Sequence, residues 1–235
     1  MRARPFAADP AAGRAPGAAG VSLRANRTPA LASGAVAPPI IAIPVKPFDI
    51  AKRRLASVVP PHIRGALSRA LAEHTVEVVA RTDAIPLVLS ADDGVTAWAE
   101  GRGTDVLTDE GSSLDRAAHG AVTWAAERSS PWAILHADLP LLQPIDLELV
   151  IDHLAAGRHV LAPSSDGGTS LIGGHDRVRF AFGPASFHRH LARVAAVSPA
   201  VVHRSGLALD LDEPADLAAA VAHPRGRWLE AVLSG

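Results

Sequence analysis

The sequence predicts an α/β domain: a mostly parallel sheet covered by helices on both faces. Three observations carry this. Short apolar runs of strand length, such as Ile40–Ile43 and Trp132–Leu135, read as strands buried on both sides. Segments with apolar residues at steps of three and four alternate with such runs along the chain. The chain has 235 residues, 48% of them hydrophobic, which is enough for one sizeable core.

Residues 1–38 are rich in Ala, Pro, Gly and Arg without sustained periodicity, and are expected to be a disordered extension. They lack the continuous apolar stretch of a secretory signal. Residues 39–235 are expected to form the domain. Ile40–Ile43 is its first strand. Pro60-Pro61 opens a helix that keeps Ile63, Leu67, Ala70, Leu71 and Val78 on one face. Ile85–Ser90 is the second strand, Asp92-Asp93 starts a short helix containing Trp98, and Asp105–Thr108 is the third strand. The turn Asp109–Asp115 leads into a helix with Leu114, Ala118, Ala121, Val122 and Ala125 on one side. Trp132–Leu135 is the fourth strand, and a helix covers about Asp146–Ala156. The strand His159–Ala162 leads to the loop Ser164–Gly168 and on to Thr169–Gly173. Ser186 is positioned to cap a helix running through Ala196. Val201–His203 and Leu207–Leu211 read as late strands, and Asp212-Glu-Pro214 begins the last helix, Ala215–Ala222. No internal repeat is present.

Formal net charge is −1, from 23 basic and 24 acidic residues. Five arginines and one acid fall in residues 1–38, so the remainder has 18 basic and 23 acidic residues, a net of −5. An acidic body gives no general attraction to nucleic acid or to an anionic membrane. The absence of Tyr, with aromatics at 4%, argues against a base-stacking surface. The absence of Cys excludes disulfides and thiolate metal sites. No apolar run approaches the roughly 20 residues that span a bilayer. The expectation is a soluble, cytoplasmic protein, and a homodimer is compatible with the sequence.

Against that acidic background, Lys46, Lys52, Arg53 and Arg54 arrive within nine residues of one another, straight off the first strand. The crevice outside the carboxyl ends of the strands is where open α/β sheets bind ligands. An ordinary basic cluster is a solvated turn; this one follows a core strand and has no helical stripe, so it points to a phosphate-rich ligand. Asp138, in Ile-Leu-His-Ala-Asp-Leu-Pro, stands just beyond an apolar strand and reads either as a magnesium ligand or as a turn cap. Asp210-Leu-Asp212 supplies a partner, because residues two apart on a strand share a face. Asp210 is favoured as the ligand and Asp212 as the cap before Pro214. Gly167-Gly-Thr-Ser170 reads as an anion-binding turn, and Phe182–Ser186 brings a glycine and a serine to a helix amino terminus. His136, His188 and His190 lack a third ligand at a convincing spacing and read as surface or packing residues. Gly-x-Ser-x-Gly, Gly-x-Gly-x-x-Gly and Walker patterns are all absent.

Pro44–Ala56, Ala137–Leu142, Gly168-Thr169, Phe182–His190 and Leu209–Leu217 together resemble, in order, the guanylyltransferases of coenzyme F-420 biosynthesis that act on 2-phospho-L-lactate or phosphoenolpyruvate. The resemblance implies a single-domain nucleotidyltransferase fold related to the nucleotide-diphospho-sugar transferases. It implies GTP as donor, Mg2+ as cofactor, and phosphoenolpyruvate or a related phosphorylated three-carbon acid as acceptor. It assigns Asp138 and Asp210 to the metal and, with Lys46, to catalysis. Lys46, Lys52, Arg54 and Asp115 are assigned to the nucleotide, and Thr169, Gly183 and Ser186 to the acceptor. The chain departs from the family's usual Leu-Asn at Leu114-Asp115, and from its usual Asn-Ala-Leu after Gly-Thr at Ser170-Leu-Ile. An Asp accepts hydrogen bonds where an Asn both donates and accepts. Two rival readings are a nucleotidyltransferase of the same fold acting on another cofactor precursor (3-phosphoglycerate or molybdopterin-like), and a non-catalytic nucleotide-binding homologue. Pyrophosphate release with defined donors and acceptors separates them.

Overall fold

The computed structural model describes residues 37–108 and 113–235. The expected extension 1–38 lies outside the described residues except for its last two, as do residues 109–112 of the turn before Asp115.

Among the described residues seven strands form one sheet: β1 (Ile40–Pro44), β2 (Ile85–Ser90), β3 (Asp105–Thr108), β4 (Trp132–Leu135), β5 (Val160–Pro163), β6 (Thr169–Gly174) and β7 (Ala200–Val201), in the order β3-β2-β1-β4-β6-β5-β7. The pairs β1–β2, β1–β4, β2–β3 and β5–β7 are parallel. β6 runs antiparallel to both its neighbours. The short Ser164–Gly168 connection is the reason, since a crossover to a parallel neighbour needs a dozen residues or more.

The helices are α1 (Pro61–Ala80), α2 (Asp93–Glu100), α3 (Leu114–Ala126), α4 (Pro144–Ala155), α5 (Ser186–Val194), α6 (Ser205–Ala208), α7 (Pro214–Ala222) and α8 (Leu229–Leu233). They cover both faces, as β1 shows residue by residue. Ile41 and Ile43 pack with Val76 and Val79 of α1, Val95 and Trp98 of α2, and Leu147 and Val150 of α4. Ile40 and Ala42 point the other way, onto Ala118, Ala121 and Val122 of α3 and Val194 of α5. Side chains alternate along a strand, so a strand buried on both faces must be apolar throughout. A third cluster joins Leu55, Leu67 and Leu71 to Leu211, Leu217 and Leu229, seating the basic loop beside the segment that carries Asp210 and Asp212. Trp228 stacks on His74 at 4.9 Å and donates its Nε1–H to the Pro140 carbonyl.

Several expected boundaries are corrected. α4 starts at Pro144, two residues earlier than expected, because Gln143 and Asp146 form a capping box there. α5 ends at Val194 and continues as a 3-10 turn, Ala195–Val197. The strand expected at Val201–His203 is Ala200–Val201. Leu207–Leu211 is not a strand: α6 ends at Ala208, and Leu209–Leu211 runs on outside the sheet. Among the described residues, no helix is long and apolar enough to cross a membrane.

Candidate active site

A cleft of about 1110 Å³ opens at the carboxyl ends of β1, β2 and β4. Lys46, Lys52, Arg53 and Arg54 line one side, His136, Asp138, Asp166, Asp210 and Asp212 its floor, and Thr169 with Phe182–Ser186 the far wall.

Lys52 is the pivot. Its backbone is left-handed (φ 55°, ψ 36°), a conformation that costs a non-glycine residue energy and that clusters at functional sites. Buried Leu55, one 3-10 turn later, anchors the loop. The Lys52 side chain is only 8% exposed; its Nζ donates to Asp138 Oδ2 at 2.7 Å and to Asp212 Oδ1 at 3.1 Å. Burial alone would lower the Lys52 pKa, but the two carboxylates outweigh it and hold the pKa above its usual value. Likewise burial would raise Asp138, but Lys52 and His136, with the hydrogen bonds to the carboxylate, together outweigh it and pull the Asp138 carboxyl below its usual range.

Asp138 follows β4, and its carbonyl accepts from the Leu211 N–H at 2.9 Å. That bond, with burial of the Leu211 side chain, brings Asp210 and Asp212 to the floor without any strand. Asp212 is therefore not the cap of α7. Glu213 is the N-cap, and Asp216 accepts from the Asp212 and Glu213 amides. Burial, then the charges of Asp138, Asp166 and Asp212, push Asp210 up to about 7.

On the far wall Gly183 adopts φ +113°, which L side chains rarely take. Ser186 does not cap α5; it is the first helical residue, following a left-handed Ala185, and its hydroxyl donates to Thr169 Oγ1 at 3.1 Å. Thr169 Oγ1 also meets His190 Nδ1 at 2.9 Å. His136 lies against Phe182, ring centroids 5.8 Å apart; burial lowers its pKa, and its Nε2 is buried without a hydrogen-bond partner.

The cleft thus gathers Lys46, Lys52, Arg54, Asp138, Asp210, Thr169, Gly183 and Ser186. Lys46 is exposed with no ion pair among the described residues, whereas Lys52 is already neutralised. Arg54 is 71% exposed and lies 3.7 Å from Glu213, a pair worth little in water. Asp115 stands outside the lining residues; its Oδ1 accepts from the Phe182 N–H at 3.0 Å and so braces the far wall from behind. The expected anion-binding turn at Gly167–Ser170 is also corrected. Asp166 Oδ1 takes the Gly168 N–H, the Ser164 carbonyl takes the Gly167 N–H, and Ser170 is fully buried in β6 with its hydroxyl on the Ala162 carbonyl. Asp166 was given no role in the sequence reading, and His190, read there as a surface or packing residue, is buried as a packing residue but also bonds Thr169. Asp166 had a signal, since it too follows an apolar strand.

Asp138, Asp210 and Asp212 are the side chains of the floor that could hold a divalent cation. Asp138 Oδ1 is buried without a hydrogen-bond partner, and of the floor's carboxylates only Asp138 and Asp212 pair with the Lys52 ammonium among the described residues. A magnesium ion takes one or two carboxylates and completes its shell with water and substrate phosphates. Among the described residues no three acidic or histidine side chains form a ready-made cage; Lys52 sits between two of the acids instead.

Comparison with known proteins gives the family and the fold. Residues 40–233 match the family described as Guanylyl transferase CofC like. The chain is 32% identical over 188 residues to a 2-phospho-L-lactate guanylyltransferase of Methanothermobacter thermautotrophicus, covering 78% of this chain and 84% of that one. It is 34% identical over 190 residues to a phosphoenolpyruvate guanylyltransferase of Streptomyces coelicolor, covering 77% and 89%. In fold it resembles a Desulfovibrio desulfuricans protein assigned provisionally to the nucleotide-diphospho-sugar transferases, with TM-score 0.65, 17% identity and coverage of 83% and 96%. It also resembles a nucleotidyl transferase of Methanothermobacter, with TM-score 0.56, 14% identity and coverage of 82% and 98%. At such identities the structural likeness speaks to the fold alone.

Proposed function

Because the chain belongs to the CofC-like guanylyl transferases, we propose that it transfers GMP from GTP to a phosphorylated three-carbon acid and releases pyrophosphate, in coenzyme F-420 biosynthesis in the cytoplasm. Relatives named for phosphoenolpyruvate and for 2-phospho-L-lactate match at similar identity. Phosphoenolpyruvate is preferred on the Ala- and Arg-rich composition, which suits a high-GC bacterial chain.

The observation that carries the reading is the polarity of the cleft: cations on one lip, carboxylates on the floor, and hydroxyls at a helix amino terminus opposite. The acceptor phosphate oxygen attacks the α-phosphorus in line, and the bond to the bridging oxygen of the β-phosphate breaks. The nucleophile is already ionised near neutral pH, so positioning and charge compensation supply the acceleration. Lys46, Lys52 and Arg54 hold the triphosphate, and Thr169, Gly183 and Ser186 hold the acceptor. Asp138 and Asp210, with Asp212 alongside, would hold magnesium, which when bound offsets charge on the phosphates. Purified protein with Mg2+, GTP and a panel of phosphorylated three-carbon acids tests the reading by pyrophosphate release and product mass. No release with any of them overturns it.

A further inference from the structure

His190 belongs to no part of the chemistry above, yet it is 0% exposed and makes two directional hydrogen bonds. One partner is the backbone N–H of Ala181, 2.9 Å from Nε2. A backbone N–H only donates, so Nε2 carries no proton. The neutral ring therefore bears its proton on Nδ1, and Nδ1–H donates to Thr169 Oγ1 at 2.9 Å. The ring lies edge-on to Phe182, centroids 4.9 Å apart, in a setting that disfavours the imidazolium form.

That assignment settles the hydroxyls. Thr169 Oγ1 accepts from His190, and one hydroxyl hydrogen spans the 3.1 Å between Ser186 and Thr169. The other hydroxyl hydrogen of the pair has no acceptor among the described residues, and both residues line the cleft. One O–H donor is left over, whichever of the two hydroxyls carries it.

We propose that His190 is a positioning residue: its Nδ1–H fixes the Thr169–Ser186 pair so that one hydroxyl donates to an anionic oxygen of the acceptor. The proposal rests on the acceptor-pocket reading above. Burial, then Arg193 and Arg189, hold the His190 pKa down at about 4, so the polarity persists through the neutral range.

Two variants separate positioning from packing. His190→Asn keeps an amide nitrogen near the position of Nδ1; His190→Gln keeps a polar atom near Nε2 and loses the donor to Thr169. The expected result is that H190Q raises the acceptor KM about tenfold and leaves the GTP KM within about twofold, with H190N within about threefold of wild type for both. An unchanged acceptor KM in H190Q, or equal rises for GTP and acceptor in both variants, overturns the proposal. Should H190Q not fold, 15N imidazole shifts of the wild-type protein at pH 7 decide: Nδ1 protonated and Nε2 bare supports it, and the opposite tautomer or imidazolium overturns it. If Thr169→Val raises the acceptor KM and H190Q does not, this proposal alone falls. If the wild-type protein turns over no phosphorylated three-carbon acid, the functional reading falls and takes this proposal with it.

Discussion

The Lys52 ammonium lies 2.7 Å from the Asp138 carboxylate, where a divalent cation would otherwise neutralise it. If the floor holds magnesium as proposed, that protein cation and the metal would share one carboxylate and compete for its charge. Lys52→Ala is expected to bind Mn2+ more tightly than wild type without nucleotide, while the GTP KM rises about tenfold. Calorimetric titration with Mn2+ reads the first and initial rates the second; an unchanged Mn2+ affinity would mean that Lys52 does not guard the floor.

Asp138→Asn and Asp210→Asn are each expected to lower turnover by about a thousandfold or more while the domain stays folded. The two should differ in stability. Asp210 sits among Asp138, Asp166 and Asp212, so a neutral amide there relieves repulsion and raises Tm at pH 8 in metal-free buffer. Asn at 138 leaves Lys52 with Asp212 alone and lowers Tm. Thermal melts in chelator check both directions.

Thr169 and Ser170 are neighbours with opposite fates. Thr169→Val should raise the acceptor KM by about tenfold or more through loss of a hydroxyl on the cleft wall. Ser170→Ala removes a hydroxyl that, among the described residues, bonds only the Ala162 carbonyl, so it should cost about 1 kcal/mol of stability and leave both KM values alone. Steady-state kinetics and urea melts distinguish them, and matching kinetic defects would show that the hydroxyls are not sorted by the strand's two faces.

Stability should fall as pH drops from about 6.5 to about 4, in part through His190. In that window an unfolded His takes up a proton that the folded one refuses, so protonation favours unfolding. Arg189 and Arg193 on the same helix and His136, which lies against the same Phe182 ring, oppose the charge, and Asp115 favours it. Urea melts across the window should show a shallower slope for H190Q than for wild type, and identical slopes would remove His190 from the account.

The strands and the two-faced cover were legible because apolar runs of four to six residues allow little else. Asp138 was legible from its place after such a run. The pairing of Lys52 was not, since its partners lie 86 and 160 residues away and only the Leu55–Leu211 cluster brings them together. Asp212 passed for a cap because it stands two residues before Pro214; Glu213 and Asp216 do that work. The tautomer of His190 depends on a backbone amide nine residues earlier, which no spacing rule reports.

Trp228 reaches back 88 residues to the Pro140 carbonyl, and Leu229 shares a cluster with Leu55 and Leu211. The last turns of the chain are thereby a brace for the loops that carry Lys52, Asp138 and Asp210. A proteolytic clip ahead of Trp228 would reach the reaction centre without touching it: the sheet would survive, and catalysis would be lost first.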